Sequence, residues 1–330
     1  MMKTITFNTT AHDDFIDFIK AYCIFIVIFC HGFPYLPEIG YAIWGVQIPL
    51  FFLIQVFHSY KRAPKPINWK MIWRRIAMPF VVIESVIFVV LQACGGGQNI
   101  IQLLKTGISG GGYGPGSYYP WIYLQMTILI PILRPVCERL DQRMSLLFFV
   151  LLCVIIEIVC SVIDMPESVY RLLCLRYVML IWFGWTWVKE GVKLNLKTVI
   201  ISLVSLCSII NLAYFSEDLE PWIYNTKWST HHWMCYFWVS WLFVGILYWI
   251  HTIVIKSETV KRIIEILASA SYEIFLVQMA YYALIPKQRL YFIGNEVAMF
   301  TVWFALAFIV SITGGVCMYK IENNFFLNKE

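Results

Sequence analysis

Lys20 and His31 bracket the stretch KAYCIFIVIFCH, in which the ten intervening residues are almost all apolar. Their spacing is close to three helical turns. Both side chains therefore return to within about 20° of one helix face, separated by about 16 Å along the axis. An imidazole takes up and returns a proton near neutrality, the duty of a general base that activates a hydroxyl. A lysine three turns away is beyond its reach and is suited to holding an anion or a carboxylate. Ionisable groups within an apolar span are costly and face a cavity or a bundle interior. The spacing thus predicts a polar path along one stripe of this helix. The competing arrangement has Lys20 snorkelling to one interface and His31 satisfied near the other. Cys30 adjoins His31, but neighbouring helix residues point about 100° apart and make a poor dyad.

Other residues with chemical potential are spread along the chain. Glu84, mid-way through a later apolar run, falls between Lys20 and His31 in expected depth, where it would orient the histidine or pair with the lysine. Lys70, Arg74 and Arg75 follow Lys61, Arg62 and Lys65 in a short basic segment. Guanidinium forks suit phosphate oxygens, and the start of a helix favours anions, so Arg74 and Arg75 are the stronger phosphate candidates of this group. The stretch CGGGQNIIQLLKTGISGGGYGPGSYYPW (94–121) is glycine-rich and then aromatic, and FSEDLEPWIYNTKWSTHHW (215–233) is acidic and aromatic. Flat aromatic faces beside carboxylates and amides are what a sugar-binding surface uses, which singles out Tyr118 and Trp121 and draws attention to His231 and His232. An interfacial aromatic belt is the plainer explanation. Glu157 and Arg176 share an expected depth and suggest a structural ion pair, and Glu273 reads as a buried, hydrogen-bonded carboxyl.

These residues are positioned by a strongly apolar chain. It has 330 residues, 60% hydrophobic, 17% aromatic and 14% charged, with mean hydropathy +0.71. Soluble domains carry about 25% charged residues, and apolar runs of the roughly 20 residues that cross a bilayer recur throughout. The expected fold is all-α, a polytopic transmembrane bundle of about ten helices in a single membrane domain. Spans are placed near 15–33, 40–60, 71–94, 117–134, 144–164, 169–189, 196–215, 231–254, 264–286 and 297–319. Most of the 25 basic residues fall at one end: Lys3, the Lys61–Arg75 group, Arg134–Arg143, Lys189–Lys197, Lys256–Arg262, Lys320 and Lys329. The other end holds Lys105, Lys227, Lys287 and Arg289. The positive-inside rule then puts both termini in the cytoplasm. The net charge of +5 does not suggest nucleic acid, because the basic residues lie in short loops. The N-terminus, acidic before its first apolar run, does not read as a signal peptide. The ten cysteines show no C-x-x-C pair or zinc spacing, so no metal is expected.

FIDFIKAYCIFIVIFCHGFPYLP resembles the first helix of the membrane acyltransferase-3 family, with its basic residue, ten residues and histidine; Lys20 stands where arginine is more usual. IPLFFLIQVFHSYKR (48–62) is similar to the family's second helix, and WKMIWRRIAMPF (69–80) to the start of its third. YYPWIYL (118–124), RYVMLIWFGW (176–185) and SASYEIFLVQ (269–278) resemble later landmarks in the same order. There are departures. The basic cluster is Lys70, Arg74 and Arg75 in place of two arginines three apart, and Gln278 stands where many members have histidine, which argues against acid–base duty there.

The resemblance implies a multi-pass enzyme of the cell (inner, cytoplasmic) membrane. Such an enzyme moves an acyl group, commonly acetyl, from cytoplasmic acyl-CoA to a hydroxyl of a glycan or lipid-linked sugar. It implies His31 as general base, or as carrier of a transient acyl group, and a phosphate site at Lys70, Arg74 and Arg75. A glycan transporter or flippase, or a polysaccharide polymerase, is the alternative that a polar stripe alone would also fit.

Overall fold

The computed structural model describes residues 3–7, 13–32, 43, 45–94, 100–215, 232–287, 290 and 294–324. Helix α1 (Asp14–Gly32) begins at Asp13, whose carboxylate accepts the Phe15 and Ile16 N–H groups at 3.1 and 3.2 Å. This satisfies donors that a helix start leaves unpaired. Asp14 and Asp17 add negative charge at the positive end of the helix dipole. α1 is a central element, with Ile19, Cys23 and Ile28 fully buried. It packs against α2 (Gln47–Lys61), α11 (Glu258–Ser269) and α12 (Ser271–Leu284).

Around it stand α3 (Trp69–Cys94), α4 (Ile100–Gly110), α5 (Tyr119–Arg139), α6 (Gln142–Val162) and the short α7 (Glu167–Arg171). They are followed by α8 (Met179–Glu190), α9 (Leu196–Phe215), α10 (Trp233–Val254) and α13 (Glu296–Glu322). Asn68 caps α3 by accepting the Met71 N–H at 3.0 Å. One turn later the helix widens into a π turn at Trp73–Ala77, just ahead of Pro79. The only strands among the described residues are β1 (Lys3–Ile5) and β2 (Val192–Leu194), paired antiparallel.

The all-α membrane class is as the composition dictates, but the expected count of about ten spans is not reproduced. Among the described residues six helices, α1, α3, α5, α6, α10 and α13, are long and apolar enough to cross a bilayer. α11 and α12, bent by 67° across Ala270, make up to seven if they form one span. Among the described residues the expected spans 40–60 and 169–189 fall on helices of 15 and 12 residues, the first of these spans beginning outside the described residues. The span at 196–215 coincides with α9, whose stretch Leu196–Asn211 is apolar. Hydropathy counts apolar residues and does not register breaks. Between α7 and α8 the chain passes through a 3-10 turn, Cys174–Tyr177, carrying the buried Arg176. Irregular backbone of this kind is tolerated at membrane depth when it is enclosed by protein.

The segments expected on the inner side do gather at one end. β1 pairs with β2 after α8; Lys261 meets Asp14 at 2.8 Å; Arg134 Nη1 donates to the Arg62 carbonyl at 3.2 Å; and Gln142 bonds Glu190 at 3.2 Å. Glu322, at the end of α13, shares a cavity with Lys20 and Arg75. The described N- and C-terminal ends therefore lie together.

Candidate functional site

Lys20 opens into a cavity of about 550 Å³ at this end, lined also by His58, Arg62, Arg75, Tyr272, Glu273 and Glu322. Its ammonium group pairs with Asp17, one turn below on the same face, at 3.3 Å. A second cavity of about 550 Å³ shares His58, Arg62 and Tyr123 with the first and adds Lys65, Asn68 and Arg134. Of the three basic residues singled out for phosphate, only Arg75 reaches this space; Lys70 and Arg74 line neither cavity. The rationale based on a helix start is corrected as well. α3 starts at Trp69, and Arg75 stands beyond the first turn, inside the π turn. There Tyr272 donates its hydroxyl to the Ile76 carbonyl at 2.7 Å, fixing the widened backbone next to Arg75.

Above Lys20 the path narrows to a pocket of about 50 Å³ lined by Val27, Ile48, Phe51, Tyr119, Ser271, Tyr272 and Phe275. Ser271 and Tyr272 belong to both the inner cavity and this pocket, so the two adjoin. Val27 is on the stripe that joins Lys20 to His31, seven residues above the lysine. The stripe lines these spaces at Lys20 and Val27, and the expectation of a polar path is corrected at the waist, which is mostly apolar, with the Ser271 hydroxyl among aliphatic and aromatic side chains.

His31 sits beyond the waist, enclosed by two elements. From α12, Tyr282 presents its ring edge-on at 6.1 Å and donates its hydroxyl to the Ile28 carbonyl at 2.8 Å, which holds the end of α1 against α12. The Gln278 amide comes within hydrogen-bonding range of the imidazole, and the Arg171 guanidinium within electrostatic reach. From the glycine-rich segment, Gly116 closes over the ring. A Cβ there would stand 3.6 Å from His31 Cε1 and collide with the Phe275 ring at 2.8 Å, and its φ of +87° also calls for glycine.

The glycine-rich segment is thus a folded turn between α4 and α5 that packs onto the histidine. Glu84 secures it. Its Oε2 accepts the Tyr113 N–H at 2.7 Å, and Gly112 leaves no room for a side chain beside its Oε1. The structure therefore brings Glu84 to the turn that covers His31, while Lys20 takes Asp17 as its carboxylate. Trp121 Nε1 donates to the Gly111 carbonyl at 2.6 Å, again bracing the turn, and its ring is 48% exposed. Tyr118 is buried, with the Arg171 and Arg176 guanidinium groups 4.9 and 5.7 Å from its ring centroid. Its neighbour Tyr119 is the residue that faces the path, its ring 5.5 Å from Phe275.

Glu157 and Arg176 both lie in a buried polar cluster in which Tyr170 is shared: its hydroxyl bonds Glu157 Oε1 at 3.1 Å and its ring lies 5.8 Å from the guanidinium. His232 Nε2 stands 3.8 Å from Glu157 and is buried in the same cluster. Glu273 is buried as expected, next to Glu322. His231 and most of the acidic aromatic segment lie outside the described residues. Among the described residues, no group of three or more histidine, cysteine or acidic side chains is arranged to hold a metal ion.

The spacing of residues along α1 pointed to the path, but its walls were missed. Arg62, Arg134, Tyr119, Phe275 and Arg171 gave no signal apart from other basic or aromatic residues. The glycines of GGGYGPG did give one, as a segment built for close approach, though it was read as a surface.

The structure is a helical membrane bundle with a cavity at Lys20, a narrow waist above it and a buried histidine beyond. The sequence matches the model of the acyltransferase-3 family (Acyltransferase domain) over residues 13–320, nearly the whole chain, and the protein belongs to that family. It is a membrane acyltransferase. No curated protein and no solved structure matches it.

Proposed function

We propose that the protein transfers an acyl group, acetyl in the simplest case, from cytoplasmic acyl-CoA to a hydroxyl of a cell-surface or exported glycan or lipid-linked sugar, in the inner membrane. The observation that carries this reading is the succession of spaces along α1. It runs from a cavity holding Lys20, Arg62 and Arg75 beside Glu273 and Glu322 to the waist at Tyr272 and Phe275, and Gly116 lies against both Phe275 and His31.

Each section suits one part of the donor. The two inner cavities offer room and cations for the nucleotide and its phosphates: Arg75, Lys20 and Arg62 in one, Lys65 and Arg134 in the other. The waist is narrow and apolar, fitting an extended pantetheine arm, whose length is comparable to the interval of about 16 Å between Lys20 and His31. The thioester then arrives beside the imidazole. His31 takes the proton of the acceptor hydroxyl as its oxygen attacks the thioester carbonyl, and the departing thiolate is protonated by the imidazolium. Tyr118, buried beneath two arginines, is less suited than the half-exposed Trp121 to meet a sugar. The apolar waist also disfavours a glycan permeation path, which needs hydrogen-bonding groups throughout.

The test uses purified protein in detergent for binding, and membranes containing the protein and its own acceptors for transfer of radiolabel from acetyl-CoA. His31→Ala should bind acetyl-CoA normally and transfer no label; full transfer by this variant would reject the assignment. Arg75→Ala should weaken acetyl-CoA binding about tenfold or more, on the order of one charged hydrogen-bonded contact, and Arg74→Ala far less. Equal effects of the two would remove the inner cavity from the donor site.

A further inference from the structure

Gln278 is 0% exposed, yet neither its Oε1 nor its Nε2 has a hydrogen-bond partner among the described residues. Buried polar side chains are almost always paired, and one left unpaired bears the full desolvation cost of its amide. The amide is within reach of the His31 imidazole but not aligned as a formed bond, and His31 Nδ1 is itself buried without a partner. Two unpartnered polar groups thus face each other where the path ends. α12 fixes this position firmly. Met279 is fully buried, Tyr281 donates to the Trp303 carbonyl at 2.8 Å, and Tyr282 is bonded to α1.

A histidine base answers only half of an acyl transfer. When the hydroxyl oxygen attacks, the carbonyl π pair moves onto the thioester oxygen, and that charge needs donors already in place. We infer that Gln278 is a catalytic residue: its amide N–H groups donate to the thioester oxygen as it becomes an oxyanion. The inference rests on the reading of His31 as the base. The sequence of bonds is closed. The acceptor O–H proton goes to His31, a C–O bond forms, and negative charge collects on the oxygen facing Gln278. The C=O then re-forms, the C–S bond breaks, and the CoA thiolate takes the proton from the imidazolium. An amide has no proton to exchange at neutral pH. It does offer two fixed donors, which is the part required here.

The prediction is a separation of rate from stability. In the labelled acetyl-CoA assay, Gln278→Met should lower turnover by about a hundredfold to a thousandfold, the usual effect of removing one such donor. Acetyl-CoA affinity should stay within about twofold, since a ground-state carbonyl gains little from the donors. The thermal midpoint of the detergent-solubilised protein should hold or rise, because an apolar side chain of similar size removes an unpaired buried amide. Gln278→His, which returns an N–H to the same place, should recover at least a tenth of the wild-type rate. Turnover of Gln278→Met close to wild type, a lowered midpoint or failure to fold, an equal loss of acetyl-CoA binding, or a histidine variant as slow as the methionine one would each overturn the inference. If Gln278→Met is fully active while His31→Ala is dead, the donor role fails and the base stands. If His31→Ala is active, the underlying reading has failed first.

Discussion

Glu84 and Gly116 hold the turn that covers His31 from opposite sides, and each can be altered singly. The Glu84 carboxylate accepts the Tyr113 N–H at 2.7 Å. Glu84→Ala removes that bond, worth about 1–2 kcal/mol for a half-buried carboxylate, and should lower both the thermal midpoint and the transfer rate, while acetyl-CoA affinity at the distant inner cavity is retained. Gly116→Ala has no relaxed form, because φ is +87° and the Phe275 ring is in the way. It should cut transfer at least tenfold. Gly110→Ala is the control: nothing lies within 4 Å of its added carbon, and transfer should be unchanged. Equal activity in the two alanine variants would show that the turn does not bear on His31.

At the scale of elements, the π turn of α3 decides which arginine meets the cavity. Arg74 and Arg75 adjoin in sequence, and only the second lines the space shared with Lys20. Tyr272 reaches from α12 to the Ile76 carbonyl in that turn. Tyr272→Phe removes one hydrogen bond, about 1 kcal/mol, and should raise the KM for acetyl-CoA several-fold with little change in the maximal rate; a change in rate alone would place Tyr272 with the chemistry instead. Such irregular turns explain what the sequence conceals. Periodicity along α1 was legible, because Lys20, Val27 and His31 recur on one face of an unbroken helix. The widening at Trp73–Ala77 and the 67° bend across Ala270 leave the residue pattern apolar, so hydropathy registers neither. Tyr118 and Tyr119 show the same limit at finer grain. They are consecutive aromatics with equal sequence signal, yet helix geometry turns one beneath the arginines and the other into the path.

For the whole molecule, the distribution of lysine and arginine was the most informative property, because it sorted the connections into two ends before any contact was known. The contacts that join residues 62 with 134, 142 with 190 and 14 with 261 follow that sorting. It yields a direct expectation. Single cysteines introduced at Lys65, Lys193 and Lys261 in a cysteine-depleted chain should react with an impermeant thiol reagent from one side of sealed vesicles, and a cysteine at Lys105 from the other. Labelling of Lys105 together with the first three would overturn the topology. What lysine and arginine could not disclose was depth, since nothing in their placement tells a reader that Arg171 approaches His31.

The pairing of β1 with β2 sets a timetable for biosynthesis. Lys3 pairs opposite Leu194 and Ile5 opposite Val192, so β1 must wait for the chain through Leu194 to emerge before it finds its strand partner. Through that interval α1, with its lysine and histidine, sits in the membrane without the cross-link that later ties its leading segment to the rest. A bulky group placed against β1 would obstruct this clasp while leaving the residues of α1 unchanged.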